Sequence, residues 1–165
     1  MLNLNGKNAL IFGVASEESI AWSIAKTLHA AGATISLGYQ QRFKSRILQL
    51  VRGGDIPIDF YERCDVTNED ELTHFFDSYN RPIDILVHSI AYANPETFAQ
   101  RISDVGQQHF AEALVTSAYS LLPLVRKARP HLSANASVMT MTYLGVQRVV
   151  ANYKLMGIAK AALEA

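Results

Sequence analysis

The chain has 165 residues, of which 49% are hydrophobic, and its 15 basic and 15 acidic side chains give a formal net charge of zero. This length predicts one domain with a sizeable core, and the charge balance argues against a nucleic-acid or anionic-membrane partner. The single cysteine, Cys64, excludes a disulfide framework, and no run approaches the roughly 20 apolar residues that a membrane span requires.

Apolar runs alternate with amphipathic stretches along the chain, which predicts strands that alternate with helices. The expected strands are 8–12, 34–38, 58–64, 83–89 and 136–141. The expected helices are 19–31, 41–52, one that begins after Asn68, 103–127 and 152–165. In the first helix, Ile20, Ile24 and Leu28 share the predicted buried face. Asn68 is expected to cap a helix whose first turn is acidic, and Ser103 to open the long fourth helix.

Strand–helix alternation with short connections predicts an α/β fold, a doubly wound parallel sheet of the Rossmann type in strand order 3-2-1-4-5. Residues 1–165 are expected to form a single domain that is incomplete at its C-terminus, because the fifth strand would be a bare sheet edge. The start of the chain, MLNLNGKNALIF, reads as a first strand without a leader cleavage site. Together with the cysteine usage, this indicates a cytoplasmic protein.

The first strand is followed by Gly13 and by Ser19-Ile20, which open the next helix. A glycine permits a tight turn, and the free N–H groups at a helix start favour an anion such as a pyrophosphate. The alternative is a plain turn glycine and a plain N-cap serine. The position directly after the first strand of a doubly wound pattern favours a dinucleotide site.

The end of the second strand reads Gly38-Tyr39-Gln40-Gln41-Arg42, with no acidic residue for an adenosine ribose. Gln40 is able to bind ribose hydroxyls, which favours NADH. Arg42 and the basic residues after it leave NADPH as the alternative, although charges on an exposed helix face are typically solvated.

Two further strand ends complete the predicted groove. Asp65 is placed to accept from the adenine amino group while Val66 packs on the ring; the alternative is that Asp65 starts the turn into the Asn68 cap. Ser89 and Ile90 offer close backbone approach after the fourth strand. The neighbouring His88 reads as a satisfied core histidine, and no metal is expected, because no histidine, cysteine or acid falls at ligand spacing.

The segment MTYLGVQRVVANYKLMGIAK contains two phenols, Tyr143 and Tyr153, and then Lys160. Seven residues along a helix are two turns, or about 10.5 Å, so the lysine stem is able to reach back toward the phenol. A nearby ammonium would favour the phenolate, and the cluster would donate hydrogen bonds to an oxygen on which charge develops. The alternative is two packing tyrosines and a surface lysine.

These phrases resemble the bacterial NADH-dependent enoyl-acyl-carrier-protein reductases of the short-chain dehydrogenase superfamily. The matching stretches occur in family order over nearly the whole chain: GVASEESIAWSIA (13–25), YQ (39–40), CDVTNEDEL (64–72), VHSIAYA (87–93), SAYSL (117–121) and MTYLGVQRVVANYKLMGIAKAALEA (141–165). The Tyr-x6-Lys spacing with a second tyrosine ten residues upstream is the most specific of these signals.

The resemblance implies hydride transfer from NADH to the β-carbon of a trans-2-enoyl thioester, with a phenol that stabilises the enolate oxygen. It implies catalytic roles for Tyr143, Tyr153 and Lys160, and substrate contact by Ala93. The implied cofactor contacts are Gly13, Ser19, Ile20, Gln40, Asp65, Val66, Ser89, Ile90 and Lys160. The substrate would arrive on acyl carrier protein, and the family suggests a homotetramer.

The family pattern also includes a further strand, a substrate-covering helix pair and a last strand, none of which occurs in the sequence. Two alternatives therefore stand beside the reductase: a non-catalytic dinucleotide-binding module, and another short-chain dehydrogenase that acts on a ketone or alcohol. Against the latter, Thr140 stands thirteen residues before Tyr153, where such enzymes use serine.

Overall fold

A computed structural model describes residues 3–165; Met1 and Leu2, the first residues of the segment expected to lead into the first strand, lie outside the described part. Five parallel strands form one sheet in the order β3-β2-β1-β4-β5. The strands are β1 (Asn8–Phe12), β2 (Thr34–Tyr39), β3 (Phe60–Arg63), β4 (Ile83–His88) and β5 (Leu132–Thr140). The helices are α1 (Ile20–Ala30), α2 (Lys44–Gly53), α3 (Glu69–Ser78), α4 (Glu96–Ala99), α5 (Gln107–Leu114), α6 (Leu121–Ala128) and α7 (Lys154–Glu164). The predicted fold class and strand order are confirmed.

Alternate residues of β1 supply the two layers of core that cover the sheet. Ala9 and Ile11 pack with the buried side chains of α1 and α2, whereas Leu10 and Phe12 pack with those of α3 and α6. A strand points successive side chains to opposite faces, so a strand that is apolar throughout must be covered on both. β1 is therefore the central strand, paired with β2 on one side and β4 on the other.

The first helix has the Ser19 cap that the sequence offered as an alternative, but it does not bury its predicted face. The Ser19 hydroxyl accepts from the Trp22 amide at 3.3 Å. The fully buried face of α1 comprises Ala21, Trp22 and Ala25, whereas Ile20 is 62% exposed. Small side chains let the helix approach the sheet closely and the indole fill the remaining space, a packing choice that helical periodicity alone does not reveal.

The predicted long helix from Ser103 to Lys127 is wrong. Ser103 lies in a 3₁₀ turn, Ile102–Asp104; α5 begins after Gly106, and a π-helical turn, Val115–Tyr119, separates α5 from α6. A π turn admits an extra residue into a helix and redirects the side chains that follow it.

Two other elements also differ from the prediction. α4 was not expected from the sequence, and β5 begins four residues before its predicted start, with a register irregularity opposite Ile83 and Ile85. None of the helices in residues 3–165 is long and apolar enough to cross a membrane.

The cap of α3 offers a direct test of the local structure. Asn68 Oδ1 accepts from the amides of Asp70 at 3.0 Å and Glu71 at 3.1 Å. Asn68→Ala removes both bonds and is expected to lower the free energy of unfolding by about 1 kcal/mol, measured by urea denaturation. The matched control, Asn80→Ala at an exposed position after the same helix, should change it by less than about 0.5 kcal/mol. Equal effects at the two positions would contradict the cap.

Candidate functional site

A groove crosses the carboxyl ends of the first four strands, where ligands bind in open α/β sheets. Six of the residues predicted to contact a cofactor line it: Gly13, Gln40, Asp65, Val66, Ser89 and Ile90. Arg42, which the sequence left as an alternative contact for a 2′-phosphate, also lines it. Tyr92 and Thr116 line it too and were not assigned to the groove from the sequence. Tyr92 and Thr116 come from the loop after β4 and from the π turn, whose proximity depends on the tertiary fold.

Gly13 is fixed in the groove by a close backbone approach. Its φ is +109°, and a Cβ at this position would lie 2.0 Å from the Ser89 carbonyl oxygen. The Ser89 amide donates to the Phe12 carbonyl at 2.9 Å, which draws the ends of β1 and β4 together. Both the conformation and the spacing exclude any side chain, so the predicted need for a glycine here has a physical cause.

Gln40 and Asp65 join the ends of β2 and β3. The Gln40 amide Nε2 donates to Asp65 Oδ2 at 2.6 Å, and the Thr67 amide and hydroxyl donate to Asp65 Oδ1 at 3.0 and 2.7 Å. Burial would raise the pKa of Asp65, but the hydrogen bonds from Gln40 and Thr67 outweigh it and hold the pKa below its usual range. Asp65 thus both lines the groove and starts the turn toward Asn68, while its contact with an adenine stays a prediction.

Ser19 and Ile20 are not among the residues that line the groove. The Ser19 hydroxyl donates to the Ser16 carbonyl at 2.7 Å, so its proton is used within the chain. Its capping role is therefore the one that the structure displays. A hydroxyl engaged in this way offers an anion only the neighbouring backbone amides of the helix start.

The two phenols of the C-terminal motif are in contact. The rings of Tyr143 and Tyr153 have centroids 4.6 Å apart and planes inclined by 55°. Tyr143 is 48% exposed, and Tyr153 is half-buried at the start of α7. Asn152, directly before it, has a φ of +62°, a conformation that asparagine tolerates better than most residues.

Burial, and then the neighbouring Tyr143, raise the pKa of Tyr153 above its ordinary value. This direction is opposite to the expected effect of a nearby ammonium, which would favour the phenolate. Tyr153 therefore stays protonated at neutral pH and serves as a hydrogen-bond donor.

Lys160 is 4% exposed, and its Nζ donates to the carbonyls of Met141 at 2.5 Å and Ile90 at 3.4 Å. These carbonyls follow the ends of β5 and β4, so the ammonium ties α7 to the edge of the groove. Burial lowers the pKa of Lys160. Of the three N–H donors of the ammonium, two point to these carbonyls and one remains for a ligand.

Ala93, for which the family resemblance implies substrate contact, lies near Tyr153, and that contact stays a prediction. It is 8% exposed and packs in a small apolar cluster with Ala113, Leu155 and Met156, against which Tyr153 also packs. A second groove passes Tyr153; its apolar members include Ile102, Val146, Val150 and Ile158. Apolar surface therefore continues outward from the phenol pair.

Sequence reasoning missed two supports of Tyr153. A Cβ on Gly145 would lie 2.5 Å from Tyr153 Cδ1, so the absence of a side chain leaves space for the ring. Lys154 Nζ donates to the carbonyls of Gln100 at 2.5 Å and Phe98 at 3.3 Å, which ties the start of α7 to the segment after α4. In the sequence, Gly145 was the available signal that another side chain approaches the backbone at that point. No sequence feature indicated the role of Lys154.

No group of three or more histidine, cysteine, aspartate or glutamate side chains in residues 3–165 is arranged to hold a metal ion. The expectation that the protein uses no metal stays a prediction.

The model of the enoyl-(acyl carrier protein) reductase family matches residues 13–165. A curated relative from Nostoc sp., named enoyl-acyl-carrier-protein reductase (NADH), is 39% identical over 172 residues, which cover 100% of this chain and 66% of the relative. The relative of the same name from Enterococcus faecalis is 38% identical, over 98% of this chain and 64% of its own length. The chain thus spans slightly less than two thirds of the length of these relatives.

Solved structures agree with the fold. The Bacillus cereus enoyl-acyl-carrier-protein reductase, solved with NADP⁺ and an indole naphthyridinone, has a TM-score of 0.93 and 37% identity, covering 99% of this chain and 65% of that one. The reductase from Anaplasma phagocytophilum, solved with NAD, has a TM-score of 0.89 and 31% identity, covering 98% of this chain and 63% of that one.

The space that Gly145 leaves beside Tyr153 can be tested by filling it. Gly145→Ala is expected to displace the Tyr153 ring from Tyr143 and to lower the free energy of unfolding by about 1–3 kcal/mol, the usual cost of overpacking. Nuclear Overhauser contacts between the two rings and urea denaturation measure the two effects.

The matched control is Gly53→Ala at the end of α2, where an added Cβ meets nothing within 4 Å. It should leave the ring contacts intact and change the free energy of unfolding by about 1 kcal/mol or less. Unchanged ring contacts in Gly145→Ala would show that the glycine does not set the position of the phenol.

Proposed function

The chain belongs to the enoyl-(acyl carrier protein) reductase family, and on that premise we propose that it binds NADH and serves the reduction of trans-2-enoyl thioesters in fatty-acid biosynthesis. The proposal rests on one observation: Lys160 connects the strand-end groove to the helix that begins at the phenol pair. Its ammonium donates to the carbonyl of Ile90, which lines the strand-end groove, while α7 begins directly after Tyr153. A groove for a dinucleotide and a pair of phenols therefore share one wall.

The groove has space for a dinucleotide at the end of β1, where the pyrophosphate would lie closest to the backbone. A pyrophosphate must approach the backbone closely at the first strand end, and Gly13 presents bare main chain there, where a Cβ would collide with Ser89. Asp65, ionised because of its hydrogen bonds, accepts from the adenine amino group, with Val66 packed on the ring and Gln40 beside the ribose. At the start of α1, Ser19 caps the helix, with its own amide bonded to the Ser16 carbonyl, and Ile20 contributes its backbone N–H group. Ser89 and Ile90 form the opposite wall.

NADH, when bound, supplies the hydride for the reaction. Tyr153 remains a phenol because burial raises its pKa, and it donates a hydrogen bond to the thioester oxygen of the substrate. Tyr143, in contact with it, donates to the same oxygen from the solvent side. Lys160 is held by two carbonyls and directs its remaining N–H to the cofactor ribose.

The apolar surface beside Tyr153 suits an acyl chain. Ala93 leaves room near the phenol, and the groove that includes Ile102, Val146 and Ile158 offers apolar contacts beyond it. The substrate in this proposal is therefore an enoyl thioester presented by acyl carrier protein.

The curated relatives are named for NADH, and Gln40, which is neutral, gives no attraction to a 2′-phosphate; NADPH is the alternative because Arg42 also lines the groove. The proposal also includes a cytoplasmic location, one folded unit over residues 1–165, and assembly as a homotetramer.

Calorimetry with NADH and absorbance at the nicotinamide band with crotonyl thioester test the proposal together. Binding followed by NADH consumption supports the reductase. Binding without consumption assigns this chain to the alternative, a dinucleotide-binding module without turnover. Absence of binding defeats both readings.

Substitution of the two proposed catalytic residues should separate their roles. Lys160→Met removes the donor to the ribose and is expected to weaken NADH binding about tenfold or more. Tyr153→Phe is expected to leave the NADH Kd within about twofold and to lower turnover on crotonyl thioester by about 10²-fold, since only the donor to the substrate oxygen is lost.

Tyr61→Phe in β3 and Lys127→Met in α6 are the matched controls, and neither lines the groove. Each should leave both measurements unchanged. Turnover that survives Tyr153→Phe and Lys160→Met combined would contradict the assigned roles.

A further inference from the structure

His88 is the last residue of β4, and its ring is fully buried among three other elements. Its Nε2 lies 2.8 Å from the Ser120 hydroxyl, at the junction of the π turn and α6. Its Nδ1 lies 3.2 Å from the Thr140 hydroxyl, at the end of β5. The imidazole therefore connects the ends of β4 and β5 to the start of α6.

The neighbouring hydrogen bonds decide which ring nitrogen bears the proton. The Ser120 hydroxyl donates to the Thr116 carbonyl at 2.7 Å, so its oxygen is left to accept from His88 Nε2–H. Nδ1 is then the acceptor for the Thr140 hydroxyl, which also lies 3.2 Å from the His88 carbonyl. A neutral imidazole with the proton on Nε2 satisfies both partners, because Nδ1 then accepts from the Thr140 hydroxyl.

The same residues lead directly to the two carbonyls that hold Lys160. Met141 follows Thr140, its amide donates to the His88 carbonyl at 3.3 Å, and its own carbonyl accepts from Lys160. Ile90, the other acceptor, lies two residues after His88. A shift of His88 relative to Thr140 would move one or both of these carbonyls.

The π turn explains how a helix residue reaches this point. Within it, Ser117 accepts from the Tyr92 amide at 2.9 Å and donates to the Tyr92 carbonyl at 3.0 Å, while Ser120 directly follows the turn and contacts His88. Two buried serines thus fasten both ends of the segment from His88 to Tyr92, with Ile90 between them. Widened turns of this kind occur frequently at functional sites.

We propose that His88 is a positioning residue, which acts with Ser120 and Thr140 to fix the carbonyls of Met141 and Ile90 at the places from which they orient the Lys160 ammonium. This inference rests on the proposed function only in assigning Lys160 to the cofactor. The linkage itself belongs to the folded chain and can be tested without cofactor.

The electrostatics of the ring agree with this role. Burial, and then the positive charge of Lys160, lower the pKa of His88 to about 4. The ring is therefore neutral at pH 7, the state in which Nδ1 accepts from the Thr140 hydroxyl. Lys160 is the charged group whose field reaches the ring, while the elements packed against it contribute the uncharged hydroxyls of Ser120 and Thr140.

The first experiment records the histidine ring nitrogens of the unliganded chain by long-range ¹H–¹⁵N spectroscopy over a pH series. We expect His88 to be neutral with the proton on Nε2 at pH 7, and its pKa to rise in Lys160→Met, which removes the charge but keeps the bulk. Lys154→Met, on the same helix but bonded to Phe98 and Gln100, is the matched control and should leave the pKa of His88 unchanged. A proton on Nδ1, or a titration that Lys160→Met does not move, overturns the proposal.

The second experiment compares His88→Gln with His88→Leu. An amide is able to donate to Ser120, so we expect His88→Gln to retain NADH affinity within about threefold, and His88→Leu to weaken it about tenfold, by calorimetry at a temperature where each variant is folded. His131→Gln and His131→Leu, at the other end of β5 against Phe76, are the controls and should not alter affinity.

A His88→Leu protein that melts earlier but binds NADH as tightly as the unmodified chain would show a merely structural residue and overturn the proposal. Should His88→Leu fail to fold, the ring-nitrogen spectra of the unmodified chain and of Lys160→Met decide. Failure of the unmodified chain to bind NADH would defeat the proposed function, and the spectra would still decide the linkage of His88 to Lys160.

Discussion

The site depends first on the close approach of the carboxyl ends of β1 and β4. These two neighbouring strands flank the topological switch point of the sheet. β1 is bonded to β2 on one side and β4 on the other, so the connections that leave β1 and β4 diverge above it. Gly13 lies against the Ser89 carbonyl with no space for a side chain. This contact keeps the floor of the groove narrow and lined by main chain, which is what a pyrophosphate requires.

A second constraint is the buried ammonium of Lys160. Removal of a charge from water is costly unless hydrogen bonds replace its hydration, and here the carbonyls of Met141 and Ile90 provide them. Because those carbonyls belong to segments that leave β5 and β4, the position of α7 is bound to the position of the groove. Tyr153 lies at the start of α7 with its ring against Tyr143, so the position of the phenol pair depends on the position of the groove.

The polar contacts at this end of the sheet contrast with the packing below them. Leu10 and Phe12 of β1 join an aromatic cluster in which Phe75 contacts Phe12, Phe60, Phe76 and Tyr79. Apolar contacts of this kind hold the helices against the sheet, but they tolerate small displacements of a strand end. The directional hydrogen bonds of His88, Ser117 and Ser120 fix the strand ends in one position. A buried network of this kind is rigid only when the hydrogen-bonding groups of each member are satisfied.

The sequence by itself determined the class of fold, because strands buried on both faces and helices with one apolar stripe leave few alternatives to a doubly wound sheet. It also determined the local features whose cause is local: the Asn68 cap, the turn at Gly13, and the Tyr-x6-Lys motif that marks the family. The interruption of the expected helix at Ser103, the exposure of Ile20, and the raised pKa of Tyr153 were decided only by the tertiary structure. The reason is that these properties depend on which distant side chains and carbonyls surround a residue. Lys160 shows this most clearly, since the partners of its ammonium lie 19 and 70 residues away and no sequence spacing identifies them.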